Sequence, residues 1–388
     1  MKTNVAGIAL AACLGLTAGF TAAPSHAELP KSTQKILKDL GLTGDKLVAD
    51  LDAEAQSTPA AIIEAAKKEG SISISGTIEA ADFRKMSEPF RERYPFVQLK
   101  FFSADQNVRN IKPLIAYREG RVTTDIIEGL GVNLSDYLQA GALQKLGDLP
   151  NVQNIPKEIQ DPDGYWVAPR LRYWCLTYNT NKLKEADLPK TWDDLLTNEK
   201  LREGRLGLVN RPNNFMIMLW GAKGPEWSQN FMTKLFNDVR PQFRKEGTDN
   251  VIALVAAGEM DAAIPTHDQR TYQYEKEKGA PISWFCPDPV PLSFSAMVLF
   301  NKSPHSNAAK LYINWFLSKE GQIAQFVADA SPPIHKDLQD PRFLVYPKQI
   351  LGKTVAPRSP KLLEQDMPKV AEFWDDLWQK ASATSRRR

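Results

Sequence analysis

The stretch that decides the fold is YWVAPRLRYWCLTYN, at residues 165–179. It is rich in aromatic and other strand-forming residues, follows the turn-forming run DPDG at residues 161–164 and ends in the polar run NTN, which together predict one long strand. Bulky and charged side chains are mixed along it, as in a strand that leaves one core and enters another. We predict that it crosses between two lobes and that Arg170 and Arg172 line the cleft between them.

The length and the charge of the chain set the class of protein. The 388 residues indicate two or more domains. The formal net charge is +3, and the concentrated basic run is RRR at residues 386–388. A nucleic-acid-binding protein would carry a basic stripe along one face or helix. We therefore expect a globular protein that binds no nucleic acid.

The first 27 residues have the three parts of a signal peptide. Lys2 gives a basic start, residues 5–20 are apolar, and Ser25-His26-Ala27 forms a small-x-small cleavage site. An alternative is a lipoprotein anchored through Cys13, but the apolar run continues beyond that cysteine. No later stretch reaches the ~18 consecutive apolar residues that would span a bilayer. We expect cleavage after Ala27 and a soluble mature protein in the periplasm.

Two cysteines follow the predicted cleavage site, Cys175 and Cys286. Export to an oxidising compartment permits a disulfide between them. Two separate buried thiols are also consistent with the sequence. The residues alone leave both alternatives open.

Helical and strand patterns alternate on both sides of the crossing strand. Before it, a helix between Pro59 and Gly70 is followed by a strand at residues 71–75, a helix at 83–94 and a strand at 97–102. After it, the same alternation continues as far as the helix AAKLYINWFLS. This pattern predicts α/β lobes in which helices flank a sheet.

Four loops take the position where open α/β folds bind ligands, beyond the carboxyl ends of strands. They are residues 75–77, 128–131, 210–215 and 265–270. The first and the third lead into helices, whose N-terminal N–H groups favour an anionic group.

Motifs of catalysis are absent from the sequence. It contains no G-x-S-x-G, no phosphate loop with Gly-Lys-Ser, no H-E-x-x-H and no Cys/His zinc spacing. The histidines beyond the signal peptide, His267, His305 and His335, do not pair at metal-ligand spacing. We expect no catalytic residue, no bound metal and no cofactor.

Several segments of the sequence resemble a known family. YWVAPRLRYWCLTYNTNKL is followed by LPKTWDDLL, VAAGEMDAAI, EKEKGAPISWFCPDPVP and VLFNKSPHSNAAKLYINWFLSKEGQ. In this order they resemble the periplasmic extracellular solute-binding proteins of ABC importers, within them the ferric-iron-binding-protein-like branch. The resemblance runs over residues 59–326. It implies a type II periplasmic-binding-protein fold, in which two α/β lobes with mixed sheets are joined by antiparallel hinge strands and close on a ligand.

The resemblance also implies how the chain is divided. It places a signal peptide at 1–27, a helical leader at 28–58, lobe 1 at 59–171 plus 287–334, lobe 2 at 172–286, and at 335–388 a C-terminal helical extension that packs on lobe 2. The strand at 165–179 would be the first hinge and residues 282–287 the second. Cys175 and Cys286 would then lie on neighbouring strands, where a disulfide requires Cα atoms within ~7 Å of each other.

The ferric ligands of that branch have no counterpart in this sequence. Ile78 stands where ferric members have a histidine, Leu130 lies nearest the place of their glutamate, and residues 268–271 fall where they have adjacent tyrosines. Fe³⁺ is a hard ion that needs phenolate and carboxylate oxygen. Direct binding of ferric iron is therefore not the main prediction.

Arginine and amide side chains take the place of those ligands. Arg172 and Arg270, with Asn213 and Asn214 opposite, suit an anion, because arginine presents a planar fork to carboxylate or phosphate. We predict a small organic anion that bears phosphate, phosphonate or carboxylate. The alternative is ferric iron or a cation of the polyamine or thiamine type, which would require acidic residues to face the cleft, namely Glu79, Glu128 and Asp268.

We predict a receptor that captures its small-molecule ligand as a monomer and delivers it to an inner-membrane ABC permease. Two other classes remain open, a receptor for a membrane sensor and an enzyme on the same scaffold. The predicted ligand-binding residues are Gly76, Thr77, Glu79, Glu128, Gly129, Arg172, Tyr173, Asn213, Asn214, His267, Asp268, Arg270 and Tyr272.

Overall fold

Two mixed β-sheets flanked by helices make up the protein. The computed structural model describes residues 28–104, 106–131, 133–343, 350 and 352–385. The predicted signal peptide with its cleavage site after Ala27 lies outside them. No helix in the described part of the chain is both long enough and apolar enough to cross a bilayer.

The first sheet has the strand order β2-β1-β3-β12-β4, with β5 also paired to β12. The second has the order β13-β11-β6-β9-β7-β8, with β10 also paired to β6. The strands are β1 (Ser71–Gly76), β2 (Gln98–Ser103), β3 (Ile126–Leu130), β4 (Leu143–Gln144), β5 (Trp166–Val167), β6 (Leu171–Asn179), β7 (Leu206–Val209), β8 (Gln242–Arg244), β9 (Ala262–His267), β10 (Ile282–Phe285), β11 (Val290–Phe294), β12 (Ala296–Phe300) and β13 (Val355–Pro357).

Helices cover the faces of both sheets. They are α1 (Lys31–Asp39), α2 (Leu51–Ala55), α3 (Ala60–Glu69), α4 (Ala80–Met86), α5 (Glu88–Arg93), α6 (Gln106–Asn110), α7 (Lys112–Arg118), α8 (Leu134–Gln139), α9 (Trp192–Thr197), α10 (Met216–Lys223), α11 (Pro225–Lys234), α12 (Thr248–Ala257), α13 (Asp268–Lys278), α14 (Ser306–Phe316), α15 (Lys319–Asp329), α16 (Pro360–Gln365) and α17 (Met367–Ser385). In α14, the buried Tyr312 and Trp315 pack in the core of the first sheet.

The first crossing between the sheets breaks the long strand that the sequence predicts. β5 ends at Val167 and pairs with β12 in the first sheet, whereas β6 begins at Leu171 and belongs to the second. Arg170 lies in the break and is buried in ion pairs with Glu128 and Asp329, at N–O distances of 3.1 and 3.5 Å. A buried arginine with two carboxylate partners fits the break, since unpaired charge would be costly there.

The second crossing lies later in the chain than predicted. Residues 282–287 were expected to be the returning hinge, but β10 pairs antiparallel with the end of β6 and stays in the second sheet. β11 then pairs with the beginning of β6, with Phe294 opposite Leu171. The chain therefore follows the whole of β6 before it returns to the first sheet at β12. β11 falls within the residues assigned to lobe 1, yet it lies in the second sheet; the other lobe boundaries stay predictions.

A disulfide joins Cys175 of β6 to Cys286, just beyond β10. Their Cα atoms are 4.5 Å apart, as the antiparallel pairing of these strands allows. The bond is buried in a small apolar cluster that includes Tyr173, Trp284 and Ile350.

Both ends of the described chain pack against the lobes. At the start, α1 is held by the buried Glu320, which accepts hydrogen bonds from Thr33 Oγ1 at 2.5 Å and Arg93 Nε at 2.6 Å. At the end, β13 pairs with β11, and Trp374 of α17 is buried in the core of the second sheet. The indole Nε1 of Trp374 donates to Asn210 Oδ1 at 2.9 Å.

Candidate functional site

Two adjoining cavities lie where the carboxyl ends of the first-sheet strands face the second sheet. The larger has a volume of about 260 Å³, and the smaller about 100 Å³. Thr77 from the first sheet, Arg172 from the crossing strand and His267 from the second sheet line both cavities. These shared residues make the two cavities parts of one cleft.

The larger cavity is lined by three arginines, and we call it the arginine cavity. Arg109 comes from α6, Arg172 from β6 and Arg358 from the residue after β13. Neutral amide and hydroxyl groups complete the lining, among them Asn213 and Ser293. No carboxylate lines this cavity in the described part of the chain. The described lining is therefore positively charged, and its neutral groups can form hydrogen bonds.

Arg172 is held in place by the loop that follows β9. With the Gln269 amide oriented so that its oxygen faces the guanidinium, Arg172 Nη1 donates to that oxygen and the amide nitrogen donates to Asp268 Oδ1 at 2.7 Å. Burial, together with the nearby Arg170, lowers the pKa of Arg172 to about 10. The guanidinium stays protonated at neutral pH.

Arg358 is a cleft residue that the sequence analysis missed. Its Nη1 donates to Asn214 Oδ1 at 2.7 Å and to Asn213 O at 3.3 Å, and its Nη2 donates to Phe294 O at 2.9 Å. Burial lowers its pKa to about 10. No pattern in the sequence places this C-terminal segment at the cleft, because the pairing of β13 with β11 joins positions far apart in the chain.

Arg109 and Asn110 were also missed, although a signal for them existed. They lie on α6, the first helix after β2, and so at the same edge of the sheet as the predicted loops at the ends of β1 and β3. Arg109 Nη1 donates to Ala104 O at 2.5 Å, and its Nε donates to Gly129 O at 3.3 Å. Asn110 is 1% exposed, and neither its amide oxygen nor its amide nitrogen has a hydrogen-bond partner. An unpaired buried polar group costs about 1–3 kcal/mol, so this amide has hydrogen-bonding capacity that its protein neighbours leave unused.

Four carboxylates line the smaller cavity, which we call the acidic cavity: Glu79, Asp82, Asp249 and Asp329. Two of them already have guanidinium partners. Arg270 Nε lies 3.0 Å from Asp249 Oδ2, and Asp329 pairs with Arg170.

His267 stands between the two cavities and is uncharged at neutral pH. Burial and the neighbouring Arg172 hold the pKa of its imidazole well below the usual range. Its ring packs edge-on against Trp174, with centroids 4.5 Å apart, and its Nε2 lies 3.1 Å from Thr248 Oγ1.

A glycine allows the first-sheet loops to approach each other. Gly129 has φ +110°, and a Cβ atom there would lie 2.6 Å from Thr77 Cγ2. A side chain at this position would force the two loops apart, so the lining of the arginine cavity depends on glycine.

The structure brings together eight of the predicted ligand-binding residues, and their role in binding stays a prediction. They line one or both cavities: Thr77, Glu79, Gly129, Arg172, Asn213, Asn214, His267 and Arg270.

Five predicted residues do not line either cavity, and neither does Arg170. Glu128 is buried against Arg170, and burial raises the pKa of its carboxyl. A Cβ atom on Gly76 would meet the Phe101 ring at 2.6 Å, so the first strand ends inside the lobe and not at its surface.

The other three are turned away by their place on β6 or α13. Tyr173 lies one position along β6 from Arg172, so it points to the opposite face and packs in the cluster around the disulfide. Asp268 accepts a hydrogen bond from the Tyr173 backbone N–H at 3.2 Å, and burial raises its pKa to about 7. Tyr272 packs beside Lys276 on the same helix.

Comparison with known proteins identifies the class. A family model described as bacterial extracellular solute-binding protein matches residues 85–349, more than half of the chain. The chain belongs to this family, as the resemblance in its sequence predicted. It is a solute-binding protein and not an enzyme.

Solved structures share the fold over about four fifths of this chain. Iron-bound HitA from Pseudomonas aeruginosa is 22% identical with a TM-score of 0.64, and the match covers 79% of this chain and 99% of that one. An ABC transporter substrate-binding protein from Bradyrhizobium japonicum is 16% identical with a TM-score of 0.65 and the same two coverages. MotA from A. tumefaciens in complex with glucopine is 17% identical with a TM-score of 0.61, again covering 79% and 99%. The predicted type II periplasmic-binding-protein fold is confirmed.

A separate cluster of three side chains lies outside the cleft. In the described residues, the side chains close enough to share a metal ion are Glu54, His335 and Asp337. They line neither cavity, and Lys319 Nζ already lies 3.9 Å from Glu54 Oε1. The carboxylates of the acidic cavity do not form such a group.

Proposed function

We propose that the protein is the periplasmic receptor of an ABC importer and captures a small organic anion in the cleft. The arginine cavity is the observation that supports this most strongly. Three guanidinium groups line a space of about 260 Å³ that no described carboxylate lines. Arginine binds carboxylate or phosphate through paired N–H donors, and such charge-assisted hydrogen bonds are stronger than neutral ones.

The placement of these residues supports a closing mechanism. Thr77, Arg109 and Asn110 belong to the first-sheet lobe, whereas His267 and Arg358 belong to the second. A ligand that contacts both groups stabilises the closed arrangement more than the open one, and so shifts the population toward it. The closed surface is then what the permease recognises.

Ferric iron is the second candidate, and the structural comparisons favour it. Ferric-binding proteins recur among the similar structures, including iron-bound HitA. In this chain carboxylates line the acidic cavity, among them Glu79, and carboxylate oxygen is a group that a metal ion can bind. Two observations argue against iron. The described lining contains no tyrosine, and Ile78 stands where ferric members have a histidine. A hard trivalent ion would also meet the positive charge of Arg172 and Arg270 in that cavity.

A binding screen separates the two candidates. The mature protein is titrated calorimetrically with organophosphates, phosphonates, carboxylates, ferric citrate, ferric ion with a weak chelator, polyamines and thiamine. We expect heat of binding with one anionic class at a stoichiometry of one. If the protein takes ferric ion tightly from a weak chelator and binds none of the metal-free anions, its ligand is iron and not an organic anion.

A further inference from the structure

We propose that the arginine cavity holds a phosphoryl or phosphonyl group, and that Arg358 of the C-terminal segment is the residue that selects it over a carboxylate. This inference rests on the proposed function and specifies its ligand class.

The charge of the cavity favours a dianion. Arg172 and Arg358 supply two positive charges and donate hydrogen bonds to neutral groups, and His267 adds no charge because it is uncharged at neutral pH. A carboxylate would compensate one of these charges, whereas a phosphoryl group carries about 1.5 to 2 negative charges at neutral pH. Like charges repel each other in a partly buried space. The ligand with more negative charge relieves more of this repulsion and therefore gains more binding free energy.

The directions of the donors favour a tetrahedral group. The three arginines come from α6, β6 and the segment after β13, so they approach the cavity from different elements. A carboxylate has two oxygens in one plane, whereas a phosphoryl group has three terminal oxygens that point apart. Donors that approach from three directions therefore match the phosphoryl group better than the carboxylate.

Neutral donors are in place as well. Trp174 Nε1 donates to Ser293 Oγ at 2.6 Å, which leaves the hydroxyl proton of Ser293 to be donated to a ligand oxygen. The buried amide of Asn110 has no partner and can donate through its nitrogen. Both side chains line the arginine cavity.

Arg358 has a donor that its structural contacts leave unused. The backbone N–H of Arg358 donates to Leu292 O at 2.8 Å, which fixes the residue at the end of β13. Its Nη1 and Nη2 hold the loop at Asn213 and the carbonyl of Phe294, but its Nε has no hydrogen-bond partner. The side chain is 9% exposed, so this N–H is shielded from bulk water. It gains a partner when an anion enters the cavity.

The segment that carries Arg358 is a feature of this chain beyond the family match. The family model ends at residue 349, before β13 begins.

The test uses pairs of ligands with matched carbon skeletons, glycerol 3-phosphate against glycerate and methylphosphonate against acetate. The mature wild-type protein, Arg358→Lys and Arg358→Ala are titrated by calorimetry. Arg121→Ala serves as the control, because Arg121 is an exposed arginine paired with Glu119 on the surface. Arg358→Lys keeps the charge and removes the planar fork, so it remains informative if Arg358→Ala does not fold.

In at least one pair, we expect the phosphoryl or phosphonyl member to have a dissociation constant at least about tenfold lower than that of its carboxylate partner. One additional charge-assisted hydrogen bond would account for a difference of this size. Arg358→Lys should reduce this preference by about tenfold, while Arg121→Ala leaves it unchanged. A wild-type preference for carboxylates, or an Arg358→Lys variant with the full phosphoryl preference, would overturn the inference and leave the organic-anion receptor standing. Binding of neither anion class would overturn both proposals.

Discussion

Arg172 is the arginine that the sequence predicted for the cleft and that lines both cavities. Replacing it with alanine removes a charged donor from a partly desolvated site, and we expect the affinity for the anion to fall by about tenfold or more. Arg270→Ala should have a smaller effect, because Arg270 Nε and Nη1 are already bonded to Asp249 and Gln273. Calorimetric titration of both variants with the preferred ligand measures the difference. Equal losses of affinity in the two variants would contradict this assignment.

Asp268 makes the stability of the protein depend on pH. Burial raises the pKa of its carboxyl from 3.8 to about 7 in the folded state. Between these values the folded chain holds a proton that the unfolded chain has released, so the contribution of Asp268 to stability is full below pH ~4 and is lost as the pH rises through 7. Asp268→Asn keeps the group neutral at every pH.

The measurement is the melting temperature of wild type and Asp268→Asn between pH 4 and pH 8. We expect the melting temperature of the variant to rise relative to that of the wild type as the pH rises from 4 to 8. A constant difference across this range would show that Asp268 is ionised throughout.

Individual cleft residues could be predicted from sequence where they follow a strand. Thr77, Gly129 and His267 were found in this way, and Asn110 was within reach of the same rule. Glu128 and Asp268 satisfied the rule too, yet both turned inward and became buried partners of other groups. The position of a residue after a strand shows that it lies at the edge of the sheet. It does not show whether the side chain of that residue points into the cleft or into the core. Only the packed structure decides which polar groups face the cleft.

The pairing of β6 with β10 and β11 is the element on which the hinge depends. The sequence identified β6 and its crossing role, since its aromatic and charged residues are mixed in a way typical of neither a surface strand nor a core strand. It could not locate the return crossing, because β10 and β11 are two short strands of similar composition and both pair with β6. Which of the two strands continues beside β6 is decided by contacts between residues far apart in the sequence, and a local pattern does not show them.

The disulfide between Cys175 and Cys286 fastens β10 to β6. It closes a loop with a sequence separation of 111 residues. A cross-link over a loop of this length restricts the unfolded chain, and bonds of this kind typically stabilise a protein by about 2–4 kcal/mol. We expect Cys175→Ala/Cys286→Ala to unfold at lower urea concentration than the oxidised wild type. Reductant should lower the midpoint of the wild type but not that of the variant.

A direct assay accompanies that comparison. The mature protein denatured without reductant should show no free thiol at Cys175 or Cys286. Two free thiols would mean separate buried cysteines, the alternative that the sequence left open.

At the scale of the whole molecule, the C-terminal extension belongs to both lobes. Ile334, just before it, lies in the core of the first sheet, whereas Ile350 lies in the cluster around the disulfide and β13 pairs in the second sheet. The position of β13 also brings Arg358 to the cleft. The extension therefore connects the lobes and contributes to the lining of the cleft. Packing on lobe 2 is only part of its role.

Closure of the lobes on the anion is the property that tests the molecule as a whole. A ligand at 100 times its dissociation constant stabilises the folded state by about 2.7 kcal/mol, and this should raise the melting temperature by roughly several degrees. If the ligand contacts Thr77 and Arg109 on one side and His267 and Arg358 on the other, it also draws the lobes together. We expect small-angle X-ray scattering to show a smaller radius of gyration with the ligand than without it. With its affinity about tenfold lower, Arg172→Ala should show only about half of this stabilisation, about 1.4 kcal/mol, at the same ligand concentration. A rise in melting temperature without compaction would mean that the free protein is already closed, and that the ligand selects no new arrangement of the lobes.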